Sequence, residues 1–539
     1  MKKILMLLFC SFCFAYTFNE LKKEPNSLAK DYFLYKLLLN DELKDVDLAS
    51  LKSQIFRFSG VLQKEINQRY KTKEEINDTC LTYTQANINQ ADIKCQIKRL
   101  SNINFSKKID NINLKKYADV LKNEKLSKLL IVLAQKDPIK YCIENGYGDI
   151  LLKLVYEGNY KLNDVKIGPK TKSSMLNSPY AYKFLNSAMV NDEYKLIREK
   201  LASVKKDDAK EDLAFALGLN SLMHNYKTQA RVFFLQAANT YKYKRPRDNA
   251  LFFAYLASKN KKDKNKILKQ LANSDDLNIY SLLAKQMTNT KLPEIITPKP
   301  NKKLDYNISD ALLQVKFINS LQNASKEELI KMQEKFNTIN TQGQYLAISN
   351  KLSNYKDNIY PLAFYDLLKD YPIKRQALIL SIAMQESRFL PASVSVSYAL
   401  GMMQFMPFVA KHTAKVDFND NNFDELNMFK PEIAYKFANA HLNLLEKSLS
   451  HPVFIAYAYN GGLGFTKRML NKEYMFSKKS KFKEYEPFLS MELVPYLESR
   501  LYAKKVLANY FIYLTILGDN PKISDFFENL YKEDCLIQK

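Results

Sequence analysis

The chain contains no Trp and only 12 Gly in 539 residues, against 35 Tyr and 32 Phe, so any aromatic platform for a sugar or a base must be built from Tyr and Phe. Metal-ligand spacing is also missing beyond the N-terminal apolar run: the four histidines, His224, His412, His441 and His451, are scattered, and the four cysteines that follow it, Cys80, Cys95, Cys142 and Cys535, form no CxxC pair. This argues against a metal site, and no cofactor is expected. The N-terminal apolar run from Ile4 to Phe14 is too short to span a bilayer. It follows Lys2 and Lys3 and ends at Ala15, with Cys13 two positions earlier, so residues 1–15 read as a secretory signal peptide. No integral membrane segment is expected once it is removed. Lipid attachment at Cys10 or Cys13 is disfavoured, because each follows Phe where a small residue would be wanted.

Acidic residues are scarce as well. Lys and Arg number 82 against 57 Asp and Glu, a formal charge of +25, which loss of Lys2 and Lys3 lowers to +23. Such an excess suits an extended anionic partner. Nucleic acid is the usual reading, but export leaves the cell wall, with its stem-peptide carboxylates and anionic polymers. Four cysteines remain after the signal. Cys80 and Cys95 would close a short loop of the kind a helical hairpin makes, and a disulfide is expected there. Cys142 and Cys535 are left open.

A chain of this length implies roughly three domains. From Tyr16 to Thr290 the sequence is a succession of helical patterns. Ser27 precedes LAKDYFLYKLLL, and Asp110 precedes NINLKKYADVLKNEKLSKLLIVLAQ, each with apolar positions three and four apart. EDLAFALGLNSLMHNYKTQARVFFLQAANTYK alternates small and aromatic residues as stacked helix pairs do, without a fixed period, which predicts an irregular helical superhelix over 16–290. Pro293, Pro298 and Pro300 then break the pattern. A small helical linker domain is expected over 291–357, with Ser325 and Glu328 forming a capping box, and a third domain over 358–539. The fold class is all-α.

The stretch 377–407, ALILSIAMQESRFLPASVSVSYALGMMQFMP, carries a single carboxylate, Glu386. The residues before it are too uniformly apolar for a surface helix, and no second Asp or Glu appears before Val416. A carboxyl group against apolar walls, with no like charge beside it, has its pKa raised and holds a proton near neutral pH. Glycoside cleavage usually needs an acid and a second carboxylate. Here the residues that follow offer only Ser and Gln, which points to one-carboxylate chemistry with the nucleophile supplied by the substrate.

Four blocks carry a resemblance: ESRFLPASVS at 386–395, GMMQFMP at 401–407, AYNGGLG at 458–464 and MELVPYLESRLYAKKVL at 491–507. In this order they resemble the soluble lytic murein transglycosylases, whose lysozyme-like catalytic domain sits behind a helical superhelix. The resemblance covers roughly 358–515. It implies a periplasmic enzyme that cleaves peptidoglycan glycan strands between N-acetylmuramic acid and N-acetylglucosamine, leaving 1,6-anhydro ends and using no cofactor. It makes Glu386 the catalytic acid, then base, and assigns substrate contacts to Ser395, Gln404, Met406, Tyr459, Asn460 and Glu492. The Tyr459 hydroxyl is expected to hold Glu386, Glu492 to be the second cleft carboxylate, and Arg500 to be structural. Met402 is expected in the core. Tyr398 departs from the family pattern, which has Gly there, so a bulky ring either narrows the cleft or stacks on a sugar. Leu400 replaces a small residue, and Leu463 a Pro. The rival readings are a hydrolytic muramidase and a noncatalytic peptidoglycan-binding scaffold.

Overall fold

A computed structural model of the chain describes residues 16–537 except 44, 71–78 and 164; the signal segment expected at 1–15 lies outside them. Among the described residues the protein is all-α, with one parallel pair of two-residue strands, Ile295–Ile296 and Asn358–Ile359. No helix among them is long and apolar enough to cross a membrane.

The helix-start signals act where the sequence places them. Ser27 Oγ accepts from the Lys30 amide at 3.2 Å at the head of Leu28–Leu39, and Asp110 accepts from the Asn113 amide at 2.9 Å at the head of Asn111–Val120. The long apolar pattern after Asp110 does not stay one helix. Lys122 takes a left-handed φ of 46° and Asn123 caps a second helix, Glu124–Leu133. Folding back lets each half bury its apolar face on the other. Glu211–Met223 and Lys227–Thr240 pair in the same way around Asn225 (φ 64°). Lys244–Ala257 stacks beyond them, with the rings of Phe215, Phe234 and Phe253 in mutual contact. Near the start of the chain Cys80 and Cys95 form a disulfide with Cα atoms 5.0 Å apart, while Cys142 and Cys535 are free and buried.

The proline-bearing stretch forms the strand Ile295–Ile296, and its partner Asn358–Ile359 lies just beyond the linker helices, so the two ends of that domain are clipped together. Between them Ala311–Asn323, Lys326–Phe336 and Gln342–Leu352 enclose a small core of Phe317, Leu321, Leu329, Phe336 and Ile348. The capping box is present, Ser325 accepting from the Glu328 amide and Glu328 from the Ser325 amide.

In the C-terminal domain the helix Ile373–Glu386 is buried from Gln376 to Ala383 and packs on the long helix Leu497–Ile516 and on Pro431–Glu446. Leu378, Ile379, Leu380 and Ile382 are all at or below 4% exposure, each worth about 1.5–3 kcal/mol of transfer free energy. Both ends of the helical region reach this domain. Ile279–Thr288, at the end of the superhelix, packs on the long helix. At the other end Leu28–Leu39, while still packed on its N-terminal neighbours, also packs on the linker helix Ala311–Asn323 and bonds, through Tyr32 and Lys36, to Glu425 of the C-terminal domain. The chain thus closes on itself.

Candidate active site

Glu386 is the last residue of its helix, at the negative end of the helix dipole. Burial raises that carboxyl to about 7; the Tyr502 hydroxyl, which donates to Oε1 at 2.7 Å, pulls the other way, and the charge of Glu498 adds to the rise. The buried helix delivers the acid, as its apolar sequence implies, but the hydroxyl that holds it belongs to Tyr502 on the long helix. The Tyr459 hydroxyl instead donates to the Met403 carbonyl at 2.9 Å, and its ring meets Phe405 and His441 edge-on at 6.2 and 5.4 Å. Tyr459 therefore braces the loop beneath the acid and does not bond the acid itself. Tyr457, two residues earlier on the same helix, is fully buried, so one Tyr of the pair faces the site.

Beyond Glu386 the chain reverses through Arg388 and Phe389, both at positive φ (54° and 62°). Ser387 Oγ ties the turn to the Met402 carbonyl at 2.9 Å. Residues 393–405 form a tight hairpin, with Val394 bridging to Leu400, Leu400 to Phe405, and the Gly401 amide donating to the Ser393 carbonyl at 2.9 Å. Gly401 (φ 79°) sits so close to the Met428 carbonyl that a Cβ would approach it to 2.0 Å. Within the hairpin Ser395 Oγ accepts from the amides of Ser397 (3.2 Å) and Ala399 (2.9 Å), so its own proton remains to be donated. Gln404 donates from Nε2 to the carbonyls of Gly401 (2.7 Å) and Ser393 (3.3 Å), leaving Oε1 for another partner. Met406 is half-buried at the start of Pro407–Phe418, whereas Met402 and Met403 are core residues at 0% exposure.

Asn460 accepts from Ser499 Oγ at 2.6 Å and donates to Glu498 Oε1 at 3.3 Å, joining the Tyr459 helix to the start of the long helix. Glu498 is exposed and four residues from Tyr502, so the two share one helix face. Neither was singled out in the sequence, although both lie inside the MELVPYLESRLYAKKVL block; the signal was their i,i+4 spacing.

Glu492 corrects the expectation of a second cleft carboxylate. It is 2% exposed, ion-paired with Lys504, and accepts from Tyr280 of the superhelix at 2.8 Å. Lys504 and Tyr502 are two residues apart and point to different faces of the long helix, so the Glu492 pair lies across that helix from Glu386. It lines a cavity of about 370 Å³ with Tyr182, Tyr241, Arg245 and Arg500. Burying Glu492 unpaired would be costly, and Lys504 satisfies it inside the domain seam. Arg500 is structural as expected, donating to the Val494 carbonyl and to Asn186 of the superhelix at 2.9 Å.

Residues 370–482 match the Transglycosylase SLT domain family. The chain is 28% identical over 181 residues to the soluble lytic murein transglycosylase of Escherichia coli strain K12, a stretch covering 33% of this chain and 27% of that protein. It is 27% identical over the same length, with the same coverage, to the soluble lytic murein transglycosylase of Salmonella typhimurium. The matched stretch thus spans about a quarter of the length of these relatives. In fold, the chain resembles the 70 kDa soluble lytic transglycosylase of Escherichia coli, with a TM-score of 0.52 at 16% identity over 93% of this chain and 83% of that one. A 70 kDa soluble lytic transglycosylase solved in complex with bulgecin A gives a TM-score of 0.51 at 16% identity over 94% of this chain and 89% of that one. The resemblance carried by the sequence motifs is the one found: the chain is similar to soluble lytic murein transglycosylases in sequence over its last third, and in fold over nearly its whole length.

Proposed function

We propose that this protein is a periplasmic lytic transglycosylase that cleaves the β-1,4 bond between N-acetylmuramic acid and N-acetylglucosamine in peptidoglycan and leaves 1,6-anhydro-N-acetylmuramic acid ends. The observation that carries the reading is Glu386: a buried carboxyl raised to about 7, bonded by Tyr502 through one oxygen.

The chemistry follows from one group used twice. With Oε1 held by Tyr502, Oε2 carries the proton and gives it to the glycosidic oxygen as the bond to the anomeric carbon breaks. The carbonyl oxygen of the substrate's own N-acetyl group closes on that carbon, so no second carboxylate is needed. Glu386, now ionised, takes the proton of the sugar's 6-hydroxyl, whose oxygen displaces the acetamido oxygen and forms the anhydro ring. Protons balance and no water is consumed. A pKa near 7 suits a group that must act first as acid and then as base. Ser395 and Gln404 retain one free hydrogen-bonding function each, and with Met406 and Asn460 they would line the sugar sites. Tyr459 would act through the loop it supports. The basic surface would hold the anionic strand.

Mass spectrometry of the muropeptides released from purified sacculi tests the proposal. Products one water lighter than the reducing sugars support it. Reducing ends would make the protein a hydrolytic muramidase, and binding without release would leave a scaffold. Loss of all products in Glu386→Gln is the matching control.

A further inference from the structure

We infer that Tyr398 is a positioning residue through which the N-terminal helix Leu28–Leu39 holds the Ser395–Gln404 hairpin in its working shape. The inference rests on the functional reading above, because it assigns that hairpin to substrate binding. Side chain and backbone conflict at the hairpin tip. Tyr398 sits at the hairpin tip with φ 63°, a left-handed conformation that Gly takes freely and an aromatic residue does not. Something in the tertiary structure must compensate for a large side chain there.

The compensation is visible. The Tyr398 ring neither reaches over the cleft nor stacks toward a sugar; it is 7% exposed and inserted against the N-terminal helix. It meets Tyr32 edge-on at 5.5 Å and Tyr35 at 5.7 Å. The same helix is fastened on either side of that contact. Tyr32 donates to Glu425 at 3.2 Å and Lys36 pairs with the same carboxylate, which Lys411 of the C-terminal domain also reaches at 3.0 Å. Burial works against the Glu425 charge, but the bonds from Lys36, its own backbone and Lys411 outweigh it and hold the group down at about 2. A few residues earlier, Lys316 of the linker domain pairs with Glu24 at 2.8 Å and Tyr16 donates to Asp310 at 3.1 Å.

The hairpin is gripped from the linker side as well. Gln314 accepts from the Ala392 amide at 3.0 Å and donates to Ser393 Oγ at 3.0 Å. Residue 398 lies three positions past Ser395 and six before Gln404, and the Tyr398 amide itself donates to the Ser395 carbonyl at 3.0 Å. A ring locked at the tip therefore limits both side chains.

The test uses the full-length protein with Tyr398→Ala, Tyr398→Gly, Tyr398→Phe and Tyr35→Ala, alone and with Tyr35→Ala combined with Tyr398→Ala. Hydrogen exchange of residues 393–405 is read together with KM and kcat on soluble uncrosslinked glycan strands. Tyr398→Ala and Tyr35→Ala each speed exchange and raise KM by about three- to tenfold, the range an aromatic pair supplies. The pH profile set by Glu386 is unchanged, Tyr398→Phe restores both readouts, and the double variant is no worse than the more damaging single one. Tyr398→Gly relieves the backbone conflict and still raises KM, because the ring is lost. Unchanged exchange in Tyr398→Ala overturns the inference, as does faster exchange with unchanged KM, or full additivity in the double variant. An inactive wild type would instead overturn the functional reading, while the exchange data would still decide whether the N-terminal helix holds the hairpin.

Discussion

Replacing Glu386 by Gln should make the protein more stable at pH 8 while abolishing its activity. Burial raises the carboxyl from an ordinary 4.5 to about 7, with the Tyr502 bond opposing and Glu498 adding. At about 1.4 kcal/mol per pH unit, that rise corresponds to about 3 kcal/mol carried by the native state whenever Glu386 is ionised. The direction follows from linkage. Below pH 4.5 the carboxyl is protonated in both native and unfolded chains and costs nothing. Between 4.5 and 7 the unfolded chain releases its proton while the native one keeps it, so native stability falls as pH rises, and the full cost is present above pH 7. Glutamine does not titrate, and its carbonyl still accepts from Tyr502. The gap between Glu386→Gln and wild type should therefore be small at pH 4.5, grow to about 2–3 kcal/mol by pH 7 and then level off. Scanning calorimetry of both proteins across that range measures it. The difference between the two curves is the quantity needed, because Glu486 is also raised by burial to about 7 and bends both curves alike, so its contribution cancels. A gap that stays flat from pH 4.5 to 8 would show that Glu386 is solvated like any surface carboxylate, and the argument for a protonated acid at neutral pH would fail.

Removing the Tyr502 hydroxyl in Tyr502→Phe deletes the bond that favours the ionised acid, so the alkaline limb of the pH–rate profile should move up by about one pH unit while kcat falls roughly 10- to 100-fold; an unmoved limb counts against the assignment. Glu498→Gln removes a like charge, and the same limb should move down, which pH-dependent turnover of glycan strands can check. Glu492→Gln leaves the buried Lys504 unpaired and should destabilise the protein by about 3–5 kcal/mol, yet the folded fraction at low temperature should retain turnover; loss as complete as in Glu386→Gln would return Glu492 to the chemistry.

What the sequence by itself determined was whatever physics writes locally. Ser27, Asp110 and Ser325 announced their helices because a cap needs only a side chain and an amide three residues on. Glu386 stands out because the apolar run before it and the missing carboxylates after it are both read from consecutive residues, and the order of four short blocks carries the resemblance to soluble lytic murein transglycosylases. Where a local pattern allowed two outcomes, as in the helical stretch after Asp110, tertiary packing chose the folded-back pair, since that buries two apolar faces instead of one. Only the tertiary structure decided which hydroxyl holds the acid: Tyr459 and Tyr502 are equally plausible in a sequence, and the packing of the long helix against Ile373–Glu386 selected Tyr502. It also withdrew Glu492 from the cleft, because Lys504 and Tyr280 satisfy that carboxylate in a seam between domains. Finally, it took the ring of Tyr398 away from the substrate side and set it against Tyr32 and Tyr35, more than 300 residues earlier in the chain. Contacts of that separation leave no periodicity to read, because they are fixed by how finished helices pack and not by the spacing along any one of them.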